Sequence, residues 1–175
     1  RCVSSGISFR ANNSNAEECI TICNEAEKIF RECISSDPNA ERWTMNTISH
    51  RLEIYCVLGQ LENAKKEYKE LSKHPWLPKF GAEKYLFPWE ATLSSLKGEH
   101  EDAVEKYQQY LDTFAGKDPS TLESHARYWY EYGLILERAS KLDEASEAFA
   151  RAASLPYEPG NHIWKKKASD KLYNF

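Results

Sequence analysis

Five cysteines and five histidines are the side chains in this sequence best suited to hold a metal or act as nucleophiles. Cys19 and Cys23 stand one helical turn apart, and His50 and Cys56 follow on what reads as the next helix. Two thiolates four residues apart can share one zinc ion. The usual C-x-x-C knuckle is missing, however, and Cys19 and Cys33 stand where a helix would carry small apolar residues. Cysteine packs readily as a small buried hydrophobe, so these positions predict core rather than metal. His74, His100, His125 and His162 fall at or near predicted helix ends, where capping or exposure accounts for them. The glycines are scattered and form no phosphate-binding loop, and neither G-x-S-x-G, H-E-x-x-H nor an EF-hand loop occurs. Glu17-Glu18 and Asp143-Glu144 lie at predicted helix starts, where the helix dipole favours acids. These features predict no catalytic residues, no metal and no cofactor, so the chain reads as a non-enzyme.

The 175 residues are 41% hydrophobic and 29% charged, the balance of one globular helical domain with a sizeable core. A net charge of −4 argues against a general nucleic-acid binder, despite Lys165, Lys166, Lys167 and Lys171 near the end. No apolar run approaches the roughly 18 residues that would span a bilayer, so no membrane contact is expected. An odd number of cysteines without a disulfide-framework spacing predicts a reducing location, cytoplasmic or nuclear. The first residue is Arg1 rather than Met, which suggests a domain taken from a longer protein.

Hydrophobic periodicity throughout is of the helical kind. Residues 1–13 show none and read as a tail or short docking segment; residues 14–175 read as a single helical domain. Ser14-x-x-Glu17 is a capping box opening a helix over about 15–36, which Asp37-Pro38 ends. Further helices are expected over about 40–58, 61–73, 100–114, 120–139, 142–154 and 161–173. Between 81 and 97, Pro88 either opens a helix at its first position or kinks one that began earlier. Pro156 and Pro159-Gly160 mark a turn before the last helix.

An internal repeat runs through these helices. Ala26, Ala64, Ala103 and Ala145 recur 38, 39 and 42 residues apart. Four residues after each stands an aromatic: Phe30, Tyr68, Tyr107 and Phe149. Five residues before stand Gly59, Gly98 and Ser140, but Thr21 in the first copy. The last copy reads W-x-x-Y-G-x-x-L from Trp129, then A-x-x-x-F from Ala145, then Pro156. That pattern resembles the tetratricopeptide repeat family, with spacings longer than its usual ~34 residues. The resemblance covers about residues 15–155 and implies an all-α solenoid, an α-α superhelix of antiparallel helix pairs. About three repeats would be followed by a capping helix over 161–173. The first copy has no leading helix, so the helix over 15–36 reads as the orphan second helix of a truncated repeat.

In that family the leading helix of each pair lines a groove that takes a protein or peptide segment. Projected here, the groove would present Asn46, Ser49 and Glu53, then Tyr85, Pro88 and Thr92 with Trp89 beside them, then Arg127, Tyr130 and Leu134. The branch that binds acidic chaperone C-terminal tails uses a clamp of lysines and asparagine. Here Ser49, Glu53, Tyr130 and Leu134 stand in those places, and only Arg127 offers a cation nearby, which argues against such tails. The expectation is an interaction module or scaffold. The alternative is a regulatory or self-associating segment of a larger protein, whose catalytic part, if it is an enzyme, lies elsewhere.

Overall fold

A computed structural model describes residues 15–114, 125–155 and 162–173, and among them every regular element is helical and no strand occurs. The helices are α1 (Ala16–Cys33), α2 (Ala40–Val57), α3 (Leu61–Leu71), α4 (Ala82–Lys97), α5 (His100–Phe114), α6 (His125–Arg138), α7 (Leu142–Ser154) and α8 (His162–Leu172). A 3-10 turn, Leu77–Phe80, precedes α4. The chain divides into two compact units, residues 1–86 and 87–175. None of the described helices is long and apolar enough to cross a membrane.

Local chemistry sets most helix ends. Asn15, in left-handed backbone (φ 61°), is the N-cap of α1, and its side chain accepts from the Glu18 amide at 3.4 Å. Asparagine tolerates that conformation; the expected cap at Ser14 lies outside the described residues. α1 ends at Cys33, short of the expected residue 36. The amides of Ser36 and Asp37 both turn back to the Cys33 carbonyl, at 2.9 and 2.8 Å, ahead of Pro38. Pro88 neither opens nor ends α4, which runs through it. The expected start at Ser120-x-x-Glu123 and the turn at Pro156 and Pro159-Gly160 lie outside the described residues.

The repeat register is written into the backbone. Gly59, Gly98 and Ser140 all have positive φ, 68°, 87° and 60°. Each follows a helix and makes the same pair of bonds. Gly59 N–H donates to Cys56 O (3.2 Å) and Gln60 N–H to Tyr55 O (2.9 Å). Gly98 and Glu99 reproduce this on Ser95 and Ser94, and Ser140 and Lys141 on Glu137 and Leu136. This is the Schellman closure, which satisfies the last carbonyls of a helix and reverses the chain. α2–α3, α4–α5 and α6–α7 are therefore joined by one kind of turn. Thr21, at the equivalent place in the first copy, sits inside α1.

In the unit of residues 87–175 the register alanines Ala103 and Ala145 are fully buried, with Tyr107, Tyr110, Phe149 and Ala152 around them. Tyr107 stacks on Tyr132 with centroids 5.7 Å apart. α8 docks on α6 and α7 through Ala168, Trp164 and Leu172. Two of its lysines are used locally: Lys171 pairs with Glu137 at 2.6 Å, and Lys165 donates to the Leu155 carbonyl at the end of α7.

In the unit of residues 1–86, α2 packs against both α1 and α3 and is buried nearly all round. Two of its buried hydroxyls turn back on the helix, Thr44 to Ala40 O (2.9 Å) and Thr47 to Thr44 O (2.7 Å).

Candidate functional site

Three of the residues expected to line a groove meet in the unit of residues 87–175. α4 carries Trp89 and Thr92; α6 carries Arg127 and Tyr130, whose three-residue spacing places them on one side of the helix. The Arg127 guanidinium carbon lies 5.8 Å from the Trp89 ring centre and 5.5 Å from that of Trp164, on α8. Both distances are within cation–π range. Tyr130 packs on the same Trp164 ring at 5.7 Å and on Phe149 at 5.6 Å. Thr92 donates its hydroxyl to the Pro88 carbonyl at 2.8 Å.

The charge of this patch is neutralised from within. Arg127 Nε donates to Glu131 Oε1 at 2.5 Å, and the buried Tyr107 hydroxyl donates to the other carboxylate oxygen at 2.8 Å. Burial, then the Glu131 charge, push the Tyr107 hydroxyl well above the ordinary phenol range, so it stays a donor. Tyr130 is likewise raised, chiefly by burial. The Arg127 side chain remains 20% exposed. The patch is therefore a cluster of aromatic rings, Trp89 buried and Tyr130 and Trp164 partly buried, around a cation already balanced by a carboxylate.

Asn46, Ser49, Glu53 and Tyr85, also expected in the groove, belong to the unit of residues 1–86. Ser49 and Glu53 on α2 are buried and Asn46 is half-buried, so little of this set faces solvent; Tyr85 on α4 is partly buried.

That unit contains instead a buried charge network that no local pattern announced. Arg51, 4% exposed, donates to Glu27 on α1 and to Glu67 on α3 at 2.8 Å. Glu27 also accepts from Arg31, which reaches Glu70 on α3. Burial raises the Glu27 carboxyl, but hydrogen bonds and charge from Arg51, then Arg31, outweigh it and hold it below the ordinary value. Arg51 is desolvated yet held charged by Glu67 and Glu27. Every member is engaged with another, so the network ties α1, α2 and α3 together.

No disulfide links the described cysteines, and no group of three or more potential ligands stands close enough for a metal among the described residues. A shallow cleft of about 630 Å³ runs along α5, lined by Glu101, Glu105, Asp112, Tyr132 and Lys141, with a Lys141–Glu101 ion pair of 2.8 Å across it.

Glu131 was readable in the sequence as the i,i+4 partner of Arg127. Trp164 was not, since it stands on a separate helix 37 residues on from Arg127. No protein-family model, characterised protein or solved structure matches the chain.

Proposed function

We propose that this chain is a protein-interaction module of the tetratricopeptide kind, a superhelical stack of helix pairs that binds a segment of a partner protein and carries out no catalysis itself. The observation that carries the reading is the meeting of Trp89, Arg127 and Tyr130 with Trp164 on one partly open patch of α4, α6 and α8. Support for the repeat architecture comes from the three matching Schellman turns and the buried register alanines. The odd cysteine count favours a reducing, cytoplasmic setting.

The segment bound would be anchored by a large apolar or aromatic side chain, since such anchors dominate interface energetics. Arg127 would add a hydrogen bond to a backbone carbonyl. An acidic tail would gain little, because Glu131 already balances the guanidinium.

The test is selection of random displayed peptides against the full chain, followed by titration of the winning peptide. Winners should share a bulky apolar anchor, and Trp164→Ala should weaken binding by more than ~1 kcal/mol with helical content retained. Arg127→Ala should weaken it less, and mainly at low salt. Tyr130→Ala is a poor probe, because Tyr130 also packs on Phe149 in the core. Undiminished binding by folded Trp164→Ala and Arg127→Ala would place the partner on another face.

A further inference from the structure

The first copy of the repeat differs from the others in one respect. Ala64, Ala103 and Ala145 are each fully buried, as are Leu71, Tyr110 and Ala152 seven residues later. Their counterparts on α1, Ala26 and Cys33, are only partly covered. In the later copies a leading helix of the same hairpin, α2, α4 or α6, precedes that position; α1 has no such helix among the described residues. The side of α1 that a leading helix would cover carries Ile22, Ala26, Ile29 and Cys33, and Ile29 is 57% exposed. The spacings of four, three and four residues form the narrow stripe of a helix-to-helix seam.

Beside the stripe runs a second row. Glu18, Glu25 and Glu32 are exposed and each seven residues apart, which keeps them in line along one edge. Neither Glu25 nor Glu32 has an ion-pair partner among the described residues. The other edge is taken up by Cys19 and Cys23 in the core and by Glu27 and Arg31 in the network with α2 and α3. A second copy of α1 laid on this stripe would bring another acidic row and no basic one.

We propose that the Ile22–Ala26–Ile29–Cys33 stripe is a docking seat for one amphipathic helix of a partner protein, with an apolar stripe bordered by lysines or arginines. The stripe spans about three turns of helix, which sets the length of the docking element. It is a different surface from the Trp89–Arg127–Trp164 patch, so the two proposals stand or fall separately.

Two synthetic amphipathic peptides test it, both with leucines in a heptad stripe, one flanked by arginines and the other by glutamates. The arginine peptide should bind the full chain and the glutamate peptide should not. Ile29→Asp should weaken the arginine peptide by about tenfold or more, with an unchanged circular dichroism spectrum because Ile29 is exposed. Glu25→Lys together with Glu32→Lys should transfer the preference to the glutamate peptide. Equal binding of both peptides, or a folded Ile29→Asp variant that binds as before, overturns the proposal. So does a wild-type dimer in sedimentation that Ile29→Asp abolishes, which makes a second copy the occupant. Binding that arises only after removal of residues 1–14 overturns it too, in favour of the chain's own first residues.

Discussion

Gly133 on α6 faces the ring of Phe149 on α7 so closely that a Cβ added at Gly133 would stand 2.5 Å from Phe149 Cε1. Glycine inside a helix ordinarily costs about 1 kcal/mol relative to alanine. Here that cost is offset by the approach of two helices around a fully buried aromatic. Gly133→Ala should therefore destabilise the protein despite its better helix propensity, by about 1–3 kcal/mol, the usual penalty of overpacking. Chemical denaturation measures it, and a more stable Gly133→Ala variant would mean that the ring moves aside freely.

The three Schellman turns make a paired prediction. Ser140 holds a left-handed conformation that its two counterparts give to glycine. That conformation costs roughly 1 kcal/mol for a residue with a Cβ. Ser140→Gly should raise stability by up to ~1 kcal/mol, and Gly98→Ala, with open space around it, should lower it by a similar amount through backbone strain alone. Melting shifts of the same sign in both variants would contradict this.

Arg51 holds two carboxylates in a buried setting. Removing it by Arg51→Met leaves Glu67 without its cation and Glu27 with Arg31 alone, a loss of about 3–5 kcal/mol by the behaviour of broken buried ion pairs. Replacing all three by apolar residues of similar volume should cost much less. A double-mutant cycle on Arg51 and Glu67 measures the coupling.

His74 sets the pH dependence on the mildly acid side. It is buried, its Nδ1 accepts the Trp76 amide at 3.3 Å, and burial, then the charge of Arg31, lower its pKa from the ordinary 6.5. A lowered histidine is neutral in the folded protein, so the unfolded chain binds more protons as the medium acidifies. Its stabilising contribution is present above 6.5 and is lost as pH falls below that value toward the folded pKa. Stability should drop as pH falls below about 6.5. His74→Asn should flatten that drop. Glu27, also lowered, adds a second loss further into acid, below its ordinary 4.5, which Glu27→Gln should remove.

The helices and their turns were legible in the sequence because the forces that set them are local. Glycine at 59 and 98 supplies positive φ, and apolar residues recur with the helical period. A proline inside a helix could be read two ways, and only the finished packing of α4 chose the continuous helix. The groove set projected onto α2 was legible as positions but not as surface. Whether Ser49 and Glu53 face solvent depends on what packs around α2, and both are buried.

What tertiary structure alone decided are the partnerships between helices distant in sequence. Arg51 meets Glu27 and Glu67 across separations of 24 and 16 residues, and Arg127 meets Trp164 on the last helix. A charged or aromatic side chain carries no mark of its partner in its own neighbourhood. Periodicity fixes which side of a helix is apolar, but the choice among facing helices falls to shape and charge once they come together. The sequence by itself determined a chain of helices in a repeating register; its internal charge network, its aromatic patch and the half-open stripe on α1 came from how those helices pack.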